Sequence, residues 1–351
     1  MRGIEGNPNS VIGPYLSGAA AVDECLKRTV ADPEDLIRME TGSIHTVKPL
    51  SVRIPKHQLT VITGVSGSGK TTMVLESLIP GLEALCYGKP MPSHVSSIQA
   101  EGINHVKLID ATPIGANVRS TVATYANVHD ALRRTYARTA DAKELGLKAG
   151  DFSYDGTGTI SLDVQFLPDV DIPCPECRGS RYRKQANQVR YKNKQGEERS
   201  LPELMNMDVN EAVVFCQNLN SVRPKLETLR DLGLGYLTLG EETPSLSGGE
   251  AQRLKLASEM GREQADSVFV FDEPTIGLHP RDVETLLQVF DALIAKGATV
   301  VVIEHDLDVI RSADCIIDMG PGGGEEGGRI VVCGTQEAVR KCSESVTGKF
   351  I

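Results

Sequence analysis

Residues 59–73 read Leu-Thr-Val-Ile-Thr-Gly-Val-Ser-Gly-Ser-Gly-Lys-Thr-Thr-Met, and this stretch decides the fold. Its β-branched run over residues 59–63 predicts a strand, and residues 71–78 predict a helix. Strand, glycine-rich loop and helix in this order are typical of a phosphate-binding loop, whose backbone N–H groups turn inward around phosphate oxygens. A chance glycine-rich turn is the alternative, and the strand and helix on either side argue against it.

The loop offers three kinds of ligand to a nucleotide. Its glycines leave room for phosphate, Lys70 brings a positive charge to the β- and γ-phosphates, and the Thr71 hydroxyl is a ligand for Mg²⁺. The loop residues predicted to bind ATP are Gly64, Ser66, Gly67, Gly69, Lys70, Thr71 and Thr72.

Two further strands end in groups suited to phosphate chemistry. The apolar run over residues 267–271 leads into Asp272 and Glu273, and residues 300–303 lead into Glu304 and His305. We expect Asp272 to hold Mg²⁺, Glu273 to orient or deprotonate the attacking water, and His305 to contact the γ-phosphate or that water. Acids that cap a buried strand and a histidine at the surface are the alternatives, and the phosphate loop favours the catalytic interpretation.

A third motif, Leu246-Ser-Gly-Gly-Glu250, opens a predicted helix over residues 248–260. Ser247, Gly248 and Gly249 lie at its N-terminus, where free amides and the helix dipole favour an anion. The same residues also predict a serine cap with Glu250 as its reciprocal partner. Both interpretations can hold, because the cap is what exposes the amides.

Bulk composition narrows the class of protein. The chain has 351 residues and a formal net charge of −10, which argues against a surface that is basic throughout. Aromatic residues make up only 4% and tryptophan is absent, so broad stacking on bases is not indicated. No signal peptide and no apolar run near ~20 residues is present, and the eight cysteines do not form a disulfide-type pattern. We therefore expect a cytoplasmic protein with no membrane partner.

The order of predicted elements indicates an α/β fold. Strands alternate with helices in the last third, at 267–271, 298–303, 314–318 and 329–332, which predicts a mostly parallel sheet. Helices are also expected over residues 127–140, 201–219 and 221–232.

Together these motifs resemble the ATP-binding-cassette ATPases, and within them the UvrA family. The segments that carry the resemblance are Leu246-Ser-Gly-Gly-Glu-Ala-Gln-Arg253, Asp272-Glu-Pro-Thr-Ile-Gly-Leu-His279, Val302-Ile-Glu-His-Asp-Leu-Asp-Val-Ile310, Asp318-Met-Gly-Pro321, Pro113-Ile-Gly115, Ala123-Thr-Tyr125, Phe166-Leu-Pro-Asp169 and Cys174-Pro-Glu-Cys-Arg-Gly-Ser-Arg-Tyr182.

The resemblance implies a P-loop NTPase domain with an inserted signature and zinc-hairpin subdomain. The implied domains are a remnant of a preceding half (1–40), an ATP-binding core (41–115 and 245–351) and the insertion (116–244), with a cysteine-containing basic hairpin at about 151–200. Only the second of the two ATPase halves of UvrA is matched, and residues 13–18 are similar to the end of the first.

The resemblance also implies a function, namely damage recognition in the bacterial excinuclease, with ATP or ADP, Mg²⁺ and zinc as cofactors. The implied partners are damaged double-stranded DNA, a second ATPase half or a second copy, and UvrB. Ser247 and Gly249 would serve the ATP of the opposing half. A UvrA-like protein of drug self-resistance, a transporter ATP-binding subunit and a non-hydrolysing scaffold are the alternatives.

Two departures from the family pattern affect these expectations. Ala111 stands where the family has a Gln that senses the γ-phosphate, so the resemblance does not imply the family's rate of hydrolysis for this chain. Cys174 and Cys177 supply two thiolates for zinc, but the family's first cysteine pair is missing ahead of Asp155. Either zinc is absent or a segment is missing between Tyr154 and Asp155.

Residues 174–194 are locally basic, with seven Lys or Arg residues against the single acid Glu176. A solvated hairpin is the ordinary interpretation of such a run, and the resemblance favours contacts to DNA phosphates instead. The residues predicted to bind DNA are Arg178, Arg181, Arg183, Lys184, Arg190 and Lys192.

Overall fold

The computed structural model describes residues 10, 12–16, 19, 35–115, 120–155, 159–162, 170–175, 177, 179–260 and 264–351. Its contacts divide the chain into two compact units, Met1–Ala111 with Arg262–Ile351, and Thr112–Gly261. The domain boundaries drawn from sequence stay a prediction. The motif Phe166-Leu-Pro-Asp169 lies outside the described residues.

Thirteen strands are described in this part of the chain. In chain order they are β1 (Leu36–Thr41), β2 (Leu50–Pro55), β3 (Leu59–Gly64), β4 (Val95–Gln99), β5 (His105–Ile109), β6 (Thr159–Leu162), β7 (Val170–Pro173), β8 (Arg190–Lys192), β9 (Glu198–Ser200), β10 (Ser267–Asp272), β11 (Thr299–Ile303), β12 (Cys315–Gly320) and β13 (Arg329–Gly334).

The α-helices of the described residues are short except for two. In chain order they are α1 (Gly13–Leu16), α2 (Ile79–Tyr87), α3 (Val122–Tyr125), α4 (His129–Tyr136), α5 (Ala140–Glu144), α6 (Lys184–Gln188), α7 (Leu201–Met205), α8 (Val209–Phe215), α9 (Arg223–Leu229), α10 (Gly248–Met260), α11 (Pro280–Ala295), α12 (Leu307–Arg311) and α13 (Gln336–Lys341). None of the helices in this description is long and apolar enough to cross a membrane.

The first unit is built on a six-stranded sheet in the order β13-β12-β3-β11-β10-β5. Five of these strands are parallel and β13 pairs antiparallel with β12. The central strands β3 and β11 are buried along their whole length. Such continuous apolar runs are expected where both faces of a parallel sheet are covered. The predicted α/β fold with a mostly parallel sheet is confirmed.

The segment after the glycine-rich loop is helical, as predicted, but it begins as a π-helix over Thr72–Leu78 before continuing into α2. Its apolar side chains Met73, Val74 and Leu78 are buried in the core beside residues of β3, β10 and β11. This packing fixes where the loop meets the sheet.

The second unit is mainly helical, and its core is formed by residues of α4, α7, α8, α9 and α10. The single helix predicted over residues 201–219 is wrong, because α7 ends at Met205 and a separate helix, α8, begins at Val209. Asp208 adopts an extended conformation there and its side chain accepts a hydrogen bond from Glu211 N at 2.8 Å, so it starts a new helix. The helix predicted at 127–140 ends at Tyr136, and Thr139 caps α5.

A histidine lies inside the aromatic part of this second core. His129 is 4% exposed, stacks on Tyr154 with ring centroids 4.8 Å apart, and its Nε2 lies 2.7 Å from the Tyr182 hydroxyl. Burial, assisted by the nearby charge of Arg133, lowers the pKa of His129 to about 4. The imidazole is therefore neutral in the folded protein at physiological pH.

This burial predicts a loss of stability in mild acid. Between about pH 6.5 and pH 4 the unfolded chain takes up a proton at His129 that the folded chain does not, so stability decreases as the pH falls through this window. The full shift corresponds to about 3 kcal/mol at pH 4. Urea unfolding of the full chain at stepped pH measures it, and His129→Gln should flatten this part of the profile. Parallel profiles for the two proteins would contradict the assignment.

Candidate active site

The carboxyl ends of the parallel strands gather the predicted site residues of the first unit. Strand β3 ends at Gly64, β10 at Asp272 and β12 at Gly320, and Glu304 directly follows β11. Because these strands are parallel neighbours, their ends lie along one edge of the sheet. Open α/β sheets bind ligands at this edge.

The glycine-rich loop depends on glycine at two close approaches. At Gly64, φ is +134° and a Cβ atom would lie 2.0 Å from the Met319 carbonyl oxygen. At Gly69, φ is +97° and a Cβ atom would lie 2.5 Å from Val47 Cγ2. Any larger side chain would displace the loop from β12 or from the segment that contains Val47. Ser66, Gly67 and Thr71 are exposed, and Thr72 is half-buried at the start of the helix.

Lys70 is buried within its own loop. It is 5% exposed, and its Nζ donates hydrogen bonds to the carbonyl oxygens of Gly64 at 2.9 Å and Val65 at 3.0 Å. Burial lowers the pKa of Lys70, and the negative charges of Glu273 and Asp318 oppose that shift. The loop therefore carries a cation whose nearby countercharges include the predicted catalytic acid.

A second glycine-rich segment, residues 322–328, lies directly against the phosphate loop. Gly324 N donates to the Gly67 carbonyl oxygen at 3.1 Å, and Gly328 N donates to that of Ser68 at 3.0 Å. In a planar trans peptide the C=O and N–H point to opposite sides, so the bond to Ser68 directs the Gly69 N–H away from this segment. The sequence predicted only a turn here, because these bonds join segments that lie far apart in the chain.

The two acids after β10 differ in surroundings. Burial raises the pKa of Asp272, and so do the neighbouring charges of Glu273, Asp110 and Glu304. A divalent cation relieves such a concentration of negative charge, and carboxylate and hydroxyl oxygens are ligands that Mg²⁺ takes. Asp272 and the Thr71 hydroxyl are thus suited to Mg²⁺.

Glu273 and His305 are brought together by the pairing of β10 with β11. Asp272 is in register with Ile303, Glu273 N donates to the Ile303 carbonyl oxygen at 3.0 Å, and His305 Nε2 lies 3.4 Å from Glu273 Oε1. The backbone of Glu273 has φ of +46°, a strained region for a residue with a side chain. Both side chains are partly exposed, so they can contact a ligand at the sheet edge.

Ser247 caps α10 in the second unit. Its hydroxyl accepts a hydrogen bond from Glu250 N at 3.4 Å, and its own N–H donates to Glu250 Oε2 at 2.7 Å. The Tyr236 hydroxyl donates to the other oxygen of Glu250 at 2.5 Å, which holds that side chain from outside the helix. The predicted capping box is confirmed, and it leaves Ser247 and Gly248 exposed at the N-terminus of a 13-residue helix.

The cysteine pair does not form a zinc site in the part of the chain that the structure describes. Cys174 and Cys177 are half-buried, and no cluster of three or more potential metal ligands occurs among the described residues. A structural zinc ion takes four nitrogen or sulfur ligands, so two thiolates do not fit it. The idea of a segment missing between Tyr154 and Asp155 stays a prediction.

Most of the basic residues predicted to bind DNA are paired with acids from outside the counted window. The ion pairs join Arg181 to Glu242, Arg183 to Asp155, Arg190 to Glu203 and Lys192 to Glu198. Lys184 is exposed, and Arg178 lies outside the described residues. The excess of positive charge is therefore smaller in space than along the sequence.

Known proteins resemble the chain over nearly its full length. It is 41% identical over 358 residues to UvrABC system protein A of Lactococcus lactis, which covers 98% of this chain and 38% of the relative. For UvrABC system protein A of Clostridium perfringens the identity is 40% over 361 residues, with coverage of 99% and 38%. No protein-family model matches the chain.

The similarity extends to three dimensions. The crystal structure of UvrA2 from Deinococcus radiodurans matches with a TM-score of 0.88 and 36% identity, over 99% of this chain and 43% of that one. The chain spans about two fifths of the length of the curated relatives. By sequence and by fold, the chain belongs to the UvrA family of ATP-binding-cassette ATPases.

Proposed function

We propose that the chain is an ATP-hydrolysing half of a protein that recognises DNA damage for nucleotide excision repair. The observation that carries this proposal is the convergence of Lys70, Glu273 and His305 at one edge of the sheet. A phosphate-binding cation and a carboxylate base are groups that phosphoryl-transfer sites use. A histidine beside the carboxylate can assist by contacting the base, the attacking water or the γ-phosphate. The membership in the UvrA family supplies the biological setting.

Each site residue of the first unit has a distinct role in this proposed reaction. The loop amides of residues 64–71 and Lys70 bind the β- and γ-phosphates of ATP, and they retain ADP after hydrolysis. Glu273 accepts a proton from the attacking water, and His305, 3.4 Å away, steadies that carboxylate or the γ-phosphate. Bound Mg²⁺, held by Thr71 and Asp272, would neutralise charge on the phosphates. Ala111 lacks the side chain that the family uses as a γ-phosphate sensor, and a slower rate is the consequence we propose.

The exposed N-terminus of α10 serves a different ATP molecule from the one bound by the loop. Ser247 and Gly248 are exposed at the positive end of the helix dipole, which suits a γ-phosphate presented by a partner. The partner is a second ATPase half or a second copy of this chain. UvrB is a further partner in this proposal, which rests on family membership.

The basic stretch over residues 178–194 is proposed to contact phosphates of damaged duplex DNA. Its ion pairs are exposed at Arg183, Arg190 and Lys192, so phosphate can compete for these cations at low cost. Contacts of this kind report the shape and deformability of the duplex rather than its sequence. Lesions of different chemistry share such changes in shape.

Separate substitutions should divide ATP binding from ATP hydrolysis. Lys70→Ala removes the phosphate-binding charge, so we expect loss of ATP affinity. Glu273→Gln keeps the loop intact, so we expect retained affinity with turnover lowered by about 10²- to 10⁴-fold. Equilibrium binding of labelled ATP and steady-state phosphate release measure the two effects. Normal turnover by Glu273→Gln would exclude its role as the base.

Complementation should reveal whether ATP sites form between two copies. Ser247→Arg blocks the α10 terminus, and Lys70→Ala disables the loop, so each variant alone is expected to lack turnover. Mixing them creates dimers in which one intact loop faces one intact terminus, and partial turnover should return. The matched control is Lys70→Ala mixed with Glu273→Gln. Both substitutions affect the unit that carries the phosphate loop, so every site in the mixture still contains one defect. Equal results for the two mixtures would contradict a shared site.

Removal of basic residues should weaken DNA binding in a salt-dependent manner. For the combined Arg183→Ala, Lys184→Ala and Lys192→Ala variant we expect lower affinity for damaged duplex and a shallower slope of log K against log salt, by about 0.9 for each lost phosphate contact. Fluorescence anisotropy at several salt concentrations measures both quantities. Lys148→Ala, an exposed lysine of the same unit outside the stretch, is the control. Unchanged binding would refute the DNA surface.

A further inference from the structure

Glu304 is an acidic residue that lies almost wholly inside the first unit. It follows β11 directly and is 2% exposed. Burial of an ionised carboxylate costs free energy unless hydrogen bonds replace the lost water. The surroundings of Glu304 meet that condition from two separate segments of the chain.

Each carboxylate oxygen of Glu304 accepts two hydrogen bonds. Oε1 accepts from Thr275 N at 2.8 Å and from the Thr275 hydroxyl at 2.6 Å. Oε2 accepts from His305 N at 2.7 Å and from Asp306 N at 3.1 Å. One side chain therefore joins the segment that follows Glu273 to the segment that begins with His305.

This connection constrains the backbone on both sides of the reacting pair. Glu273 is held on one side by the bond from its N–H to the Ile303 carbonyl oxygen, and two residues later Thr275 is held by Glu304. The strained φ of +46° at Glu273 requires such support, because isolated residues of this type avoid it. The same carboxylate fixes the backbone of His305, whose side chain lies 3.4 Å from Glu273.

We propose that Glu304 is a positioning residue for ATP hydrolysis, which holds Glu273 and His305 at their working separation. The proposal rests on the proposed function, since it assigns the role within that reaction. Glu304 acts through Thr275 and His305 and does not itself bind the phosphates. Loss of Glu304 therefore impairs the chemical step more than it impairs nucleotide binding.

The first test replaces the carboxylate by its nearest isostere. In the wild type each carboxylate oxygen of Glu304 accepts from two donors. In Glu304→Gln the amide nitrogen, itself a donor, therefore faces two N–H or O–H donors whichever way the side chain turns. We expect kcat to fall by about 10- to 100-fold, as for a misplaced catalytic group. We expect the dissociation constant for ATP to stay within about twofold of the wild type, because the contacts of Lys70 are untouched.

A milder pair of variants controls for folding defects. Thr275→Val removes the hydroxyl that bonds Glu304 while keeping a similar shape, and Thr275→Ser keeps that hydroxyl. We expect turnover to drop in Thr275→Val and to be restored in Thr275→Ser, with similar melting temperatures for both. If Glu304→Gln does not fold, this pair decides. Equal turnover in the two threonine variants would overturn the proposal.

The outcomes separate this proposal from the broader one. A wild-type chain that binds ATP without turnover, alone or mixed with its partner half, contradicts the proposed function. A wild-type chain with turnover that Glu304→Gln leaves unchanged contradicts only the role of Glu304. Equal loss of ATP affinity and kcat in Glu304→Gln also overturns the role, because that pattern indicates general damage to the site.

Discussion

The pairing of β3 with β11 and β12 is the constraint on which the site depends. In the parallel ladder Ile62 is opposite both Ile303 and Ile317, and Gly64 is opposite Met319. This register sets the phosphate loop, the Glu304–His305 segment and the turn after β12 at the same height on the sheet. A slip of one residue would turn each strand's side chains to the other face and dismantle the site.

Among the described residues, Lys70, Glu304 and Asp318 are buried at this edge, and specific hydrogen bonds support each of them. Lys70 bonds to carbonyl oxygens of its own loop, and Glu304 accepts from two segments. Asp318, which is 2% exposed, accepts from the hydroxyls of Ser345 at 2.5 Å and Thr347 at 3.1 Å, which attach the C-terminal residues to β12. Such groups are costly to bury unpaired, so they restrict the chain to the arrangement that pairs them.

The sequence predicted the sheet and its main site residues because each depends on a local pattern. Apolar runs mark β10, β11 and β12, and the glycines of residues 64–69 mark the loop. What it missed depends on contacts between distant segments. Residues 322–328 support the loop through hydrogen bonds to Gly67 and Ser68, which lie far earlier in the chain. No local sequence pattern reveals such long-range bonds. Likewise, the break at Asp208 reflects a cap that competes with helix propensity.

The basic stretch over residues 174–194 shows that a count of charges along the sequence does not predict the local charge in the folded protein. Counting along residues 174–194 finds one acid against seven bases, because the count includes only neighbours in the chain. Coulomb interaction depends on distance in space. Asp155, Glu203 and Glu242 form ion pairs with arginines of this stretch although all three acids lie outside it in sequence. Arg181 is the clearest case, since it is only 14% exposed and paired with Glu242, and so is better placed to stabilise the fold than to meet a phosphate. Exposed pairs such as Lys192 and Glu198 can open at little cost. Only some of the basic side chains of this stretch would therefore contact DNA.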